Sequence, residues 1–246
     1  MRRFRETFLC TPPDRCHTVG RVRIETIPVS PWTANCYLIA ADPDESGCLV
    51  VDPGVNGSEL VSAALNRLGW HPEVILCTHG HLDHVGAAAT LAAVWGVPVR
   101  CAKADQEMLI RPSAGLGNRL VPLIRQLLGE DLLERPADLR DHEVFQVPSG
   151  LEIRPHAAPG HTPGSTLLEV GDDTGKVLLT GDVIFRGTIG RTDFPGGDLE
   201  QMRSTLRHII ETFPDETVLL PGHGEPTTVG AEKLHNPYLQ ADFLKD

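Results

Sequence analysis

The chain has 246 residues with 33 acidic against 22 basic side chains, a formal net charge of −11, and that balance speaks against a nucleic-acid partner, because holding phosphates needs a basic surface. The six cysteines show neither Cys-X-X-Cys spacing nor the density of a disulfide scaffold, which predicts a reduced, cytoplasmic setting. No run approaches the about twenty apolar residues that span a bilayer, so no membrane partner is expected.

Residues 1–20 carry early arginines but no apolar core long enough for a signal peptide, and predict a loose N-terminal arm in which Cys16-His17 reads as solvated tail rather than metal site. Residues 21–246 are expected to form a single domain. Arg21 to Val29, Asn35 to Ala41 and Cys48 to Asp52 read as an antiparallel meander with residues 42–47 as hairpin turn. Ser58 is expected to cap a helix to about Leu68 with Leu60, Ala64 and Leu68 on its apolar face. The buried strand Val74-Ile75-Leu76-Cys77 comes next, then a helix from Val85 to Trp95. Residues 103–147 break the regularity with short helical pieces; they read equally as a cover over the site or as a peripheral pair. Two further apolar strands, Val177 to Gly181 and Val218 to Gly222, flank a helix opened by Asp198, whose stripe Met202, Leu206, Ile209, Ile210 and Phe213 is core. Inner strands apolar throughout and outer helices with single stripes predict an α/β fold, an αββα sandwich of two mixed sheets covered by helices on both outer faces.

Thr78 to His84 reads Thr-His-Gly-His-Leu-Asp-His. His79, His81, Asp83 and His84 cannot share one helical face, since helical neighbours lie three or four residues apart, so a loop must present them. Such a crowd of imidazoles with a carboxylate calls for a cation, and one ion rarely takes four donors so close along a chain, so two ions are expected. Zinc is the first expectation, with iron or manganese as alternatives. The remaining donors stand in matching settings: Asp52, Asp182 and His223 each follow an apolar strand, and His161 follows Ala158-Pro159-Gly160. Glycine beside most of these positions permits sharp turns.

His-X-His-X-Asp-His with later His161, Asp182 and His223 resembles the metallo-β-lactamase superfamily, and within it the glyoxalase II-like branch. The likeness runs from about Asn35 to Leu239 and includes Asn35-Cys36-Tyr37-Leu38-Ile39, Val51-Asp52-Pro53-Gly54, Pro159 to Ser165, Gly190-Arg191-Thr192-Asp193 and Pro221-Gly222-His223-Gly224. It implies one metal held by His79, His81 and His161 and a second by Asp83, His84 and His223. Asp182 would bridge the ions and Asp52 would orient a ligand from behind. It also implies the αββα fold and hydrolysis of a 2-hydroxyacyl thioester such as lactoylglutathione.

Two divalent ions, the carboxylates of Asp83 and Asp182 and a bridging hydroxide leave a centre of net positive charge, which keeps water deprotonated at neutral pH. Asp83 with that hydroxide, and Asp182, are the catalytic candidates. A thiolate, whose thiol has a pKa of about 8.5, leaves without a strong acid, which favours thioesters over amides. Departures from the branch are the short stretch after His223, where full-length glyoxalase II enzymes carry a glutathione-holding helical region, and Gly190-Arg191-Thr192-Asp193 in place of Gly-Lys-aromatic-aromatic. Arg191 would either bind an anionic substrate group or pin its own loop through Asp193. A mononuclear iron persulfide dioxygenase, a related branch that also carries Gly-Arg-Thr-Asp, is the alternative function. A lactonase uses nearly the same ligands, and a metal-stapled binding module is the non-catalytic alternative. A β-lactamase that binds metal through Cys is disfavoured, because Asp182 stands in that position.

Overall fold

Residues 16–41, 46–172 and 175–245 are described by the structure, a computed structural model. Strands β1 (Cys16–Val19), β2 (Val22–Val29), β3 (Ala34–Ala40) and β4 (Gly47–Val51) pair antiparallel in chain order. The expected meander is therefore one strand longer, and the end of the supposed loose arm is an edge strand, because Thr18 and Val19 find ladder partners in Arg23 and Val22. The rest of the arm, the side chains of Cys16 and His17, and residues 42–45 of the hairpin turn lie outside the described residues. Strands β5 (His71–Leu76), β6 (Val99–Arg100) and β7 (Leu139–Arg140) extend the same sheet in parallel. The result is a seven-stranded mixed sheet.

The second sheet draws on β8 (Phe145–Gln146), β9 (Glu152–Ala157), β10 (Thr166–Asp172) and β11 (Gly175–Gly181). A small hairpin, β12 (Ile184–Phe185) with β13 (Thr188–Ile189), stands apart from it. Then β14 (Val218–Pro221) joins β11 in parallel and β15 (Thr227–Thr228) closes the edge. The sheet is mixed, as expected.

Successive strand residues point to opposite faces, and this alternation builds the layers. Leu38, Val50 and Ile75 face outward from the first sheet onto Val61 and Leu65 of α1 (Ser58–Leu68) and Leu91. Ile39, Leu49 and Leu76 point the other way and meet Ile153, Leu168, Val170 and Leu179 of the second sheet. Leu167, Leu178 and Leu219 face outward from that sheet onto Met202, Leu206 and Ile209. Helix, sheet, sheet, helix is the αββα sandwich.

The helices depart from expectation in detail. Gly57 occupies the cap position of α1 and the Ser58 hydroxyl does not cap. The buried face of α1 is Val61, Ala64 and Leu65, while Leu60 is exposed, because the helix meets the sheet one position further round than the Leu60 stripe requires. The helix expected over 85–95 is two pieces, α2 (Leu82–Val85) and α3 (Ala88–Trp95), since the Ala87 amide donates to Pro53 O (2.9 Å) instead of continuing the first turn. Within residues 103–147 lie α4 (Ser113–Leu116) and α5 (Val121–Leu128). Ile124 of α5 packs against Leu82 and Val55, so this insertion covers the segment between His81 and His84. Helix α6 (Leu199–Thr212) starts where expected: the Asp198 carboxylate accepts from the amides of Glu200 and Gln201.

Candidate metal centre

The candidate donors leave the same edge of the sandwich because their strands run the same way. Asp52 follows β4 and His79 follows the adjacent parallel β5; Asp182 follows β11 and His223 follows the adjacent parallel β14. Cross-ties then fix the two edges together. The Asn35 side chain donates to Pro221 O (3.0 Å) and Gly224 O (2.9 Å), and the Tyr37 hydroxyl donates to Pro221 O (2.6 Å), so β3 of one sheet anchors the His223 turn of the other. The Thr166 amide donates to Thr78 O (2.9 Å), tying the His161 turn to the His79 loop. The 79–84 segment is only half loop. His79 lies in a bend, His81 is extended, and Asp83 and His84 ride the single helical turn α2, which lets adjacent residues reach different partners.

Every candidate donor of the sequence reading converges. Nitrogen donors of His79, His81 and His161 lie within 4.8 Å of one another, and so do donor atoms of Asp83, His84 and His223. His161 Nε2 stands 2.9 Å from His81 Nδ1, and His223 Nε2 stands 3.3 Å from both His84 Nε2 and Asp83 Oδ2. Asp182 lies between the groups, with Oδ2 3.7 Å from His161 Nε2 and 3.6 Å from His223 Nε2, and Oδ1 3.4 Å from His84 Nε2.

Partners on the far side of each ring decide which nitrogen faces inward. His161 Nδ1 donates to Arg191 O (2.7 Å), leaving Nε2 a bare lone pair. His84 Nδ1 donates to Asp52 Oδ2 (3.0 Å), which turns Nε2 toward the centre, where an ion would replace its proton. The Thr78 hydroxyl donates to Asp52 Oδ2 (2.6 Å), so it can only accept from His79 Nδ1 (3.1 Å), and His79 Nε2 is bare as well. Buried lone pairs aimed at one another need a cation between them. Among the described residues, His79 Nε2 and Asp182 Oδ1 are buried at the centre without a hydrogen-bond partner. The donor set therefore fits divalent ions. Asp52 stands behind the centre, its two oxygens taken by the Thr78 amide (2.7 Å), the Thr78 hydroxyl and His84. It holds a left-handed backbone, φ 53°, that a non-glycine residue adopts only where its surroundings over-determine it.

Electrostatics divides the imidazoles. Burial, with His161 beside it, pushes His81 down to about 3, and burial with the neighbouring imidazoles holds His79 well below its ordinary range. Burial also disfavours the charged form of His84, but Asp182, Asp83 and Asp52 together override it and hold that imidazolium up at about 10. His223 is likewise raised against burial by Asp83 and Asp182. Burial opposes the Asp83 carboxylate, yet His84 and His223 hold its pKa far below the usual carboxylate range.

A cavity of about 800 Å³ opens onto the centre and is lined by Trp32, His81, Asp83, Leu116, Leu120 and Phe194 among others. The insertion thus forms one wall. Arg191 also lines the cavity, but its guanidinium is bound in a fork to Asp193 (2.7 and 2.8 Å) and lies over the Phe194 ring at 3.7 Å. Of its two expected roles, this geometry realises the pinning of its own loop. Sequence reasoning missed Thr78, Tyr37, Phe194 and Asp105. Thr78 was legible as the hydroxyl residue preceding the first histidine; Asp105 lies in a stretch without a motif.

Known proteins resemble this chain over most of its length. The chain is 35% identical over 223 residues to the hydroxyacylglutathione hydrolase GloC of Haemophilus influenzae, covering 89% of this chain and 99% of that protein. It is 34% identical over 222 residues to the probable metallo-hydrolase YqgX of Bacillus subtilis, covering 89% and 98%. Among solved structures, the B3 metallo-β-lactamase BLEG-1 superposes with a TM-score of 0.75 at 30% identity over 89% of this chain and 100% of that one. The di-iron-bound form of TTHA1623 gives 0.69 at 31% identity over 87% and 99%. The sequence profile described as Metallo-beta-lactamase superfamily matches residues 29–223, a span that contains every donor discussed above. With its strand-end donors, its layering and its profile in agreement, the chain belongs to the metallo-β-lactamase superfamily, whose fold binds divalent metals.

Proposed function

We propose that this chain is a two-metal hydrolase of small acyl thioesters, with 2-hydroxyacyl thioesters the first substrates to try. The observation that carries the reading is the set of inward-facing Nε2 atoms on His79, His84 and His161, each ring fixed by a partner behind it. His79, His81 and His161 would hold one ion and Asp83, His84 and His223 the other, with Asp182 shared between them. Divalent ions so held would supply an activated water and polarise the acyl carbonyl. Asp83, kept ionised by its imidazole neighbours, would hold its ion through Oδ2, the oxygen nearest His223, and its other oxygen would take the proton of an attacking water. The insertion and the Trp32 turn wall the cavity.

Thioesters are favoured by the cavity wall. Its titratable side chains are the metal-facing donors, the paired Arg191 and Asp193, and Arg119, so apart from the proton Asp83 would take from water no separate proton donor faces a leaving group. A thiolate needs none. The GloC relative is named for the same chemistry, which supports this choice. The full second donor group, Asp83, His84 and His223, supports two ions rather than the single iron of the dioxygenase alternative.

The test is elemental analysis of the purified chain followed by a panel of lactoyl and other acyl thioesters, a lactone, a β-lactam and glutathione persulfide with an oxygen electrode. Two metals per chain with thioester cleavage supports the reading. One iron with oxygen uptake, or turnover confined to the lactone or the β-lactam, overturns it.

A further inference from the structure

We infer that Asp105 is a positioning residue that sets the geometry of the His79, His81 and His161 site from behind, without touching metal or substrate; the inference rests on the proposed centre. Asp105 is fully buried in a short helical turn at the start of the insertion. Its Oδ2 accepts from the Gly80 amide (2.9 Å) and the Thr162 hydroxyl (2.6 Å), and its Oδ1 accepts from the Gly164 amide (2.7 Å). Gly80 lies between His79 and His81, while Thr162 and Gly164 follow His161. One carboxylate therefore grips both loops that supply this donor group, and the three hydrogen bonds leave their separation no freedom. The Asp83, His84 and His223 group receives no such contact from it.

Packing agrees with the hydrogen bonds. A Cβ on Gly164 would lie 2.6 Å from Asp105 Cγ, and a Cβ on Gly80 would lie 2.8 Å from Asp105 O. Both glycines are where the carboxylate turn must approach the loop backbones closely. Thr162 is oriented in turn: its hydroxyl donates to Asp105 and so accepts from the Ser165 hydroxyl (2.7 Å). Bonds to a buried charge are the strong kind, and outer partners that orient metal-binding imidazoles typically contribute 10- to 100-fold in metal affinity.

The test is zinc affinity by competition with a chromophoric chelator, in two backgrounds that each retain a single site. In His223→Ala, which leaves the His79, His81 and His161 group, Asp105→Asn is expected to weaken zinc binding about 10- to 100-fold. In His81→Ala, which leaves the other group, the same change is expected to be without effect. A change of less than about threefold in the first background, or equal weakening in both, overturns the inference, since a generally loosened fold would move both sites. If Asp105→Asn does not fold, Thr162→Val removes one of the three donors at nearly constant volume and should produce a smaller loss in the same background only. Absence of zinc binding by the unmodified chain would instead defeat the proposed centre itself, a separate outcome read in the same titration.

Discussion

Replacing Asp52 by Asn isolates the device that aims the imidazoles. Asn has the same shape and tolerates the left-handed backbone at φ 53° about as well as Asp, so neither packing nor backbone strain changes. What changes is the count of acceptors. If the amide oxygen replaces Oδ2 and keeps the Thr78 hydroxyl and His84, the new NH2 faces the Thr78 amide at the Oδ1 position, donor against donor in a buried place. If the amide is turned over, the NH2 faces His84 Nδ1 and the Thr78 hydroxyl. Both rings can then be satisfied only with the proton moved to Nε2 of His84 and His79, pointing into the centre where an ion would sit. Either way costs about 1–3 kcal/mol for a buried donor without its acceptor, and zinc affinity is expected to fall about 10- to 100-fold, or about 1.4–2.7 kcal/mol. Competition with a chromophoric chelator measures the affinity, and melting of the metal-free variant separates lost binding from lost fold. Zinc affinity within about twofold of the unmodified chain would refute the tautomer argument.

Asp182→Ala is expected to lose one or both ions, by more than the about 100-fold that outer partners contribute, and nearly all hydrolysis with them; unchanged metal content by elemental analysis would remove the shared role. Arg191→Ala should leave metal content intact, because His161 meets only the Arg191 carbonyl, while loosening the cavity wall where the guanidinium lies on Phe194. That stacking is worth about 0.5–1 kcal/mol, so KM should rise about two- to fivefold with kcat retained; loss of metal in this variant would contradict the backbone assignment. In the metal-free protein His84 is held protonated up to about 10 against an ordinary 6.5, so its contribution to stability is fully present below about 6.5 and is lost as pH rises through about 10. An incoming ion must displace that proton, so zinc affinity should climb between pH 7 and about 10, with proton release visible by calorimetry in buffers of different ionisation heat. A flat affinity over that range would count against it.

Local pattern made the layering legible. Strand residues such as Leu38 and Ile39, or Leu178 and Leu179, are apolar on both sides, and only a sheet covered on both faces needs that. The stripe from Met202 to Ile209 announced α6 because each residue of it meets one sheet face. Errors arose where tertiary contacts outweighed local preference. Leu60 lost its place on the buried face of α1 to Val61 and Leu65, and the break between α2 and α3 is made by a hydrogen bond to Pro53, distant in sequence. The edge strand at Cys16–Val19 was missed although its pairing is local, Val19 facing Val22 across a two-residue turn with Gly20 at φ 62°.

The site divides along the same line. His79, Asp182 and His223 could be found because an apolar strand running into a polar donor is a local pattern, and parallel neighbours carry such ends to one edge of the sandwich. What prepares those donors is not local. His84 depends on Asp52, His161 on the carbonyl of Arg191, and the spacing of the two loops on Asp105. Each of these outer partners is separated from the donor it serves by many residues and brought close only by the fold. The donor types can therefore be read from sequence spacing, whereas their protonation and aim are properties of the assembled sandwich. Substitutions behind the rings should accordingly alter metal affinity while leaving every donor in place.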